Sequence, residues 1–132
     1  MKIRVVSSKD EIKSLEPSEK YIHLAFRPSN TDIFSLVQTC PNAKAIQVPA
    51  SYVRTISNST RMLLDMQGIV LLKGDVWGHR KDINEYYEIN PEIFDNMKEF
   101  KKEGLSEADI LKRMVRTYGI SNDLLKFLMK GK

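Results

Sequence analysis

"KAIQVPASYVRTISNSTRMLLDMQGIVLLKG", Lys44 to Gly74, is the stretch that decides the fold. Two short runs rich in β-branched and aliphatic residues, "KAIQVP" at 44–49 and "IVLLKG" at 69–74, read as strands. Between them lies a segment that is helical at both ends and interrupted by a polar "SNST". Gly68 closes it as a helix C-terminal cap does. The connection is too long for a hairpin and long enough for a crossover helix, so the two strands are predicted to run parallel.

The same unit repeats upstream. "KYIHLAF" at 20–26 is a strand, and "SNTDIFSLVQTC" after it opens with four residues able to cap a helix. Ile33, Leu36, Val37 and Cys40 mark its apolar face, and Pro41 and Asn42 stop it. "IRVVS" at 3–7 is a first strand, followed by a short helix over "KDEIKSLE" that ends at Pro17. Strands this continuously apolar are covered on both faces, as in parallel sheets. The expectation is an α/β fold: a small domain over residues 1–89 with a short, mostly parallel β-α-β sheet of four strands. "DINEYYEI" at 82–89 suits either a fifth strand or a helical turn. Ile22, Ile46 and Val70 recur at 24-residue intervals, a spacing also compatible with a solenoid-like stack. Val5 precedes Ile22 by only 17, which breaks the repeat and favours the compact sheet.

From residue 90 the text changes to a three-helix segment, 90–132. Asn90 and Pro91 start the first helix, and Gly104 ends it. Ser106 caps the second, whose stripe of Ile110, Leu111, Met114, Val115 and Tyr118 ends at Gly119. Ser121 caps the third.

Composition excludes several classes. No apolar run in the 132 residues approaches the length of a membrane span. The N-terminus regains charge too soon for a secretory signal, so a cytoplasmic location is expected. One cysteine, Cys40, forms no internal disulfide and reads as a packed thiol. Residues 1–90 hold 12 Lys and Arg against 10 Asp and Glu, and residues 91–132 hold 9 against 7. The net charge of +4 permits an anionic partner without demanding one.

Ligands of parallel sheets bind beyond the carboxyl ends of the strands, where helix N-termini present free N–H groups. This chain places Ser7, Arg27, Ser29, Thr31, Ser51, Arg54, Lys73, Asp75, His79 and Arg80 at that rim. Hydroxyls and cations together suit a small anionic or phosphate-bearing ligand, although the same residue types also cap helices. Neither G-x-G-x-x-G nor G-x-x-x-x-G-K-[ST] occurs. His79, in the loop with Trp77, is the one candidate acid or base for an enzyme at the rim. His23, in mid-strand, reads as a core histidine. Two histidines and one cysteine make no zinc site, so neither metal nor cofactor is expected.

"MVRTYGISNDLLKFLM" is similar to the helix-turn-helix pattern of DNA-binding proteins: Met114 and Tyr118, turn Gly119, Ile120, capping Ser121 and Leu125. That resemblance implies a second helix whose early polar residues meet base edges, here Asn122 and Asp123, with Lys126, Lys130 and Lys132 for phosphates. Val115 stands where the pattern prefers alanine. The aromatic and Met-rich helices suit a homodimer interface equally well.

The chain as a whole resembles a small family of uncharacterised archaeal proteins, found mainly in methanogens. "MKIRVVSS", "CPNAKAIQVPASYVRTIS" and "GIVLLKGDVWGHRKDINEYYEI" carry the resemblance. It implies a cytosolic archaeal protein and supplies no activity. The reading is a non-catalytic binding or regulatory protein with an anion at the strand-end rim. The alternatives are DNA binding through the last helices and an enzyme using His79.

Overall fold

A computed structural model describes residues 2–74, 86–89, 91–118 and 120–130. The expectations placed on Asp75, Trp77, His79 and Arg80 lie outside the described residues.

Five strands form one sheet: β1 (Lys2–Val6), β2 (Tyr21–Leu24), β3 (Ala45–Val48), β4 (Val70–Lys73) and β5 (Tyr86–Glu88). Their order is β4-β3-β2-β1-β5. The first four are parallel, and β5 runs antiparallel to β1. Residues 86–88 of "DINEYYEI" are therefore a strand. A 3-10 helix (Lys9–Ser14) links β1 to β2, α1 (Asn30–Thr39) links β2 to β3, and α2 (Ala50–Val53) with α3 (Asn58–Met66) links β3 to β4.

This order dictates the layers. Each crossover steps to the next strand in the same direction, and crossovers of one hand moving one way all fall on one face. Val6, Ile22, Leu24, Ile46 and Val48 point to that face and pack with Ile12, Ile33, Leu36 and Leu64 of the crossover helices. Alternation sends Ile3, Ala45 and Leu72 to the opposite face. Nothing in residues 1–74 is left to cover it. The C-terminal helices α4 (Glu92–Lys102), α5 (Glu107–Tyr118) and α6 (Asn122–Lys130) do so, burying Ile93, Met97, Ile110, Met114, Leu124, Leu125 and Leu128. Burial of each such side chain is worth about 1.5–3 kcal/mol.

Two readings of the sequence change. The segment is helical at both ends with an interruption between, but the break lies at 54–57 and not over "SNST": Ser57 is the N-cap of α3 and accepts from the Thr60 N–H at 3.2 Å. A cap and a polar first turn look like a loop when only composition is read. The 24-residue repeat also slips. Ile22 pairs with Ile46, but Ile46 pairs with Leu71, while Val70 pairs with Ala45 and is 44% exposed. With one sheet face covered by α4–α6 and one edge closed by β5, the molecule is a compact sheet and not an open stack.

Candidate nucleic-acid interface

The last two helices are set by local chemistry. Ser106 Oγ accepts the Asp109 N–H at 3.2 Å, and Ser121 Oγ accepts the Leu124 N–H at 3.2 Å. Both are N-caps that satisfy donors the helix cannot pair. Only residues 119–121 separate α5 from α6, the turn length of a helix-turn-helix unit. Asn96 of α4 donates to the Tyr118 hydroxyl and ties the first helix to the end of α5. The Arg113 guanidinium lies 5.6 Å from the centre of the Phe100 ring, a cation–π arrangement that holds it at the surface.

Burial divides α6 cleanly. Leu124, Leu125 and Leu128 are buried. Asn122, Lys126 and Lys130 are exposed, and their i, i+4, i+8 spacing makes them one stripe. The helix-turn-helix resemblance pointed to these three together with Asp123, which is not on the stripe, and Lys132, which lies outside the described residues. On α5, Lys112, Arg113 and Arg116 are exposed as well.

Charge is segregated along these helices. Residues 92–109 carry three lysines against six carboxylates, a net −3. Residues 110–132 carry Lys112, Arg113, Arg116, Lys126, Lys130 and Lys132 against Asp123 alone, a net +5. Division of the chain at residue 90 averages this away; division after Asp109, in the first turn of α5, displays it, with the acidic residues at the N-terminal end of that helix.

Asp123 itself faces the sheet. Its carboxylate accepts the Lys73 backbone N–H at 2.9 Å. Val70 and Gly74 donate their N–H groups to Lys44 and Val48 carbonyls toward β3, so by alternation the Lys73 N–H points off the sheet edge. Gly74, at φ +153, sits where any Cβ would collide with Ser121. Phe127 meets Tyr21 of β2 edge-on, with ring centres 6.0 Å apart. Sequence reasoning missed this docking because the partners are far apart in the chain, 50 residues for Lys73 and Asp123 and more for Tyr21 and Phe127, and carry no local mark.

At the strand-end rim the donors are largely committed. Glu11 accepts from the Ser7 and Ser8 N–H groups, each at 2.8 Å. Asp32 and Ser29 form a capping box, at 2.9 and 3.1 Å. After β3, Asn30 Oδ1 accepts from Thr60 Oγ1 at 2.8 Å and from Ser57 Oγ at 3.3 Å. The Arg27 guanidinium lies over the Tyr52 ring at 5.7 Å. Thr31, Ser51 and Arg54 are exposed in the first turns of α1 and α2 and at the end of α2. Arg61, which sequence reasoning passed over, donates to the Val53 and Ile56 carbonyls at 2.7 and 3.4 Å. The chain's own side chains thus occupy the N-termini of the 3-10 helix, α1 and α3, while α2, directly after β3, starts at Pro49 with no side-chain cap. His23 is buried in β2 beneath the C-terminal helices, next to Gln47 of β3. Among the described residues no group of three or more His, Cys, Asp or Glu is placed to hold a metal ion, and no helix is long and apolar enough to cross a membrane.

Fold and site together define a class: an α/β sheet carrying a C-terminal helix-turn-helix-like unit. The chain belongs to a family of unknown function, DUF1699. Residues 2–85 match that family's N-terminal domain, and residues 92–130 match its C-terminal HTH domain. No curated protein and no solved structure matches the chain.

Proposed function

We propose that the protein binds duplex DNA through α5 and α6. The observation that carries this reading is the net +5 of residues 110–132, whose cations on the two helices are exposed while that segment's single carboxylate is turned onto β4; the exposed Glu107 and Asp109 sit at the N-terminal end of α5. The match of residues 92–130 to an HTH domain supports it. α6 lies with its leucines on the sheet and its Asn122, Lys126, Lys130 stripe toward solvent. An asparagine amide in the first turn can pair two ways with adenine in the major groove. The lysines one and two turns later, with Lys112, Arg113 and Arg116, serve phosphates, which position the protein and supply most of the affinity.

Gel retardation of duplex DNA against salt tests this. With five exposed cations available, log affinity should fall with log salt at a slope of about −4.5. Lys126→Gln with Lys130→Gln should reduce the slope by about 2 without loss of fold. Absence of retardation at about 50 mM salt overturns the reading.

A further inference from the structure

We propose that the groove between β4 and α6 binds a small organic anion with an apolar body, an aliphatic or aryl monocarboxylate. The groove measures about 480 Å³ and is lined by Val70, Leu72, Phe127, Asp123, Lys126 and Lys130. That volume is in the range of sites that take one small molecule. Its surface is apolar, with Val70 of the edge strand 44% exposed and Phe127 held by the Tyr21 ring. Both cations stand on one wall, a turn apart on α6. Asp123 is at the groove as well, but its carboxylate is engaged by the Lys73 N–H. Two ammonium groups against one carboxylate leave the net charge facing an occupant positive, while the surface beneath it is hydrocarbon. An anionic head on an apolar body matches both features.

Two other occupants fit less well. An extended peptide added to β4 needs a row of outward backbone groups. Alternation gives β4 two outward residues, Leu71 and Lys73, and Asp123 already takes the Lys73 N–H. One remaining residue makes no ladder. A second copy paired edge to edge through a two-fold axis sets the α6 lysines of both copies on the same face of the joined sheet, like charge beside like charge, which is unfavourable.

The site stands on the groove and not on DNA binding, so it is tested without DNA. Isothermal titration of the full chain with sodium octanoate should show one site per molecule. Octan-1-ol, with the same body and no charge, should bind about tenfold more weakly, as expected for loss of a charge-assisted pair. Lys126→Gln with Lys130→Gln should bring octanoate down to the alcohol's affinity. Val70→Glu, at an exposed position, should abolish binding by placing a carboxylate in the groove. Should Val70→Glu fail to fold, the lysine pair still decides. The proposal is overturned if octanoate gives no binding, if the alcohol binds as tightly, or if the lysine variant leaves octanoate affinity unchanged.

Discussion

Cys40 shows how one side chain reports its surroundings. It is fully buried at the end of α1, and its thiol donates to the Glu16 carbonyl at 3.4 Å. Burial disfavours the thiolate, the nearby Glu19 carboxylate disfavours it further, and Arg4 only partly offsets both, so the pKa rises from 9.0 to about 11. The thiol is therefore protonated and inert at neutral pH. The folded state holds this proton more tightly than the unfolded chain does. The resulting stability is complete below pH 9.0 and is lost as pH rises from there through about 11. Urea denaturation across that window should show a smaller alkaline loss in Cys40→Ala than in the parent, and an equal loss in both would refute the assignment. The packed thiol was legible in the sequence because Ile33, Leu36, Val37 and Cys40 share one helical face. Arg4 was not. It lies buried within β1, 3.7 Å from Glu19 and over the Tyr86 ring, and the Tyr86 hydroxyl donates to the same Glu19 carboxylate at 2.6 Å. Those partners come from a loop and from β5, and a short apolar run gives no hint that its one cation is held by residues so distant in the chain.

Element by element, what the sequence disclosed follows the range of the interactions. Helix starts at Ser106 and Ser121, and that of α1 to within the four residues 29–32, were readable because capping acts over three residues. Strand polarity was readable from connection length. The way α6 meets β4 was not readable, since it depends on Gly74 lying against Ser121 and on Asp123 reaching the Lys73 N–H. This joint is testable. A methyl group at Gly74 would enter a backbone conformation side chains rarely adopt, would collide with Ser121 and would come within 2.9 Å of Gln47 Nε2. Gly74→Ala should cost about 2 kcal/mol or more in urea denaturation. Ser121→Gly in that background should recover the part due to collision and leave the backbone part. If the second change recovers nothing, Ser121 is not the obstacle. The rim is the counterpart case: residue types alone suggested an anion site, but they could not reveal that Glu11, Asp32 and Asn30 take up the donors beside them.

For the whole molecule, the strand order has a consequence for regulation. Because the crossovers occupy one face, the helix pair proposed to meet DNA is also the layer that buries the other face. α6 thus has three sides: leucines on the sheet, a polar stripe toward solvent, and a flank on the β4 groove. Lys126 and Lys130 belong to both the stripe and the groove. A carboxylate held there neutralises charge that DNA phosphates would otherwise use, so ligand and DNA should compete. For mutually exclusive binding, the apparent DNA dissociation constant grows as one plus the ratio of free ligand to its own constant, about elevenfold at ten times that constant. Fluorescence anisotropy of a labelled duplex, titrated with protein in octanoate, measures the shift. Sodium acetate at equal concentration supplies the same charge and ionic strength without the apolar body, and it should leave DNA affinity nearly unchanged. An identical effect of the two salts would mean that octanoate acts only by screening. A shift with octanoate alone, absent from the Lys126→Gln, Lys130→Gln protein, would place the two functions on the same two lysines.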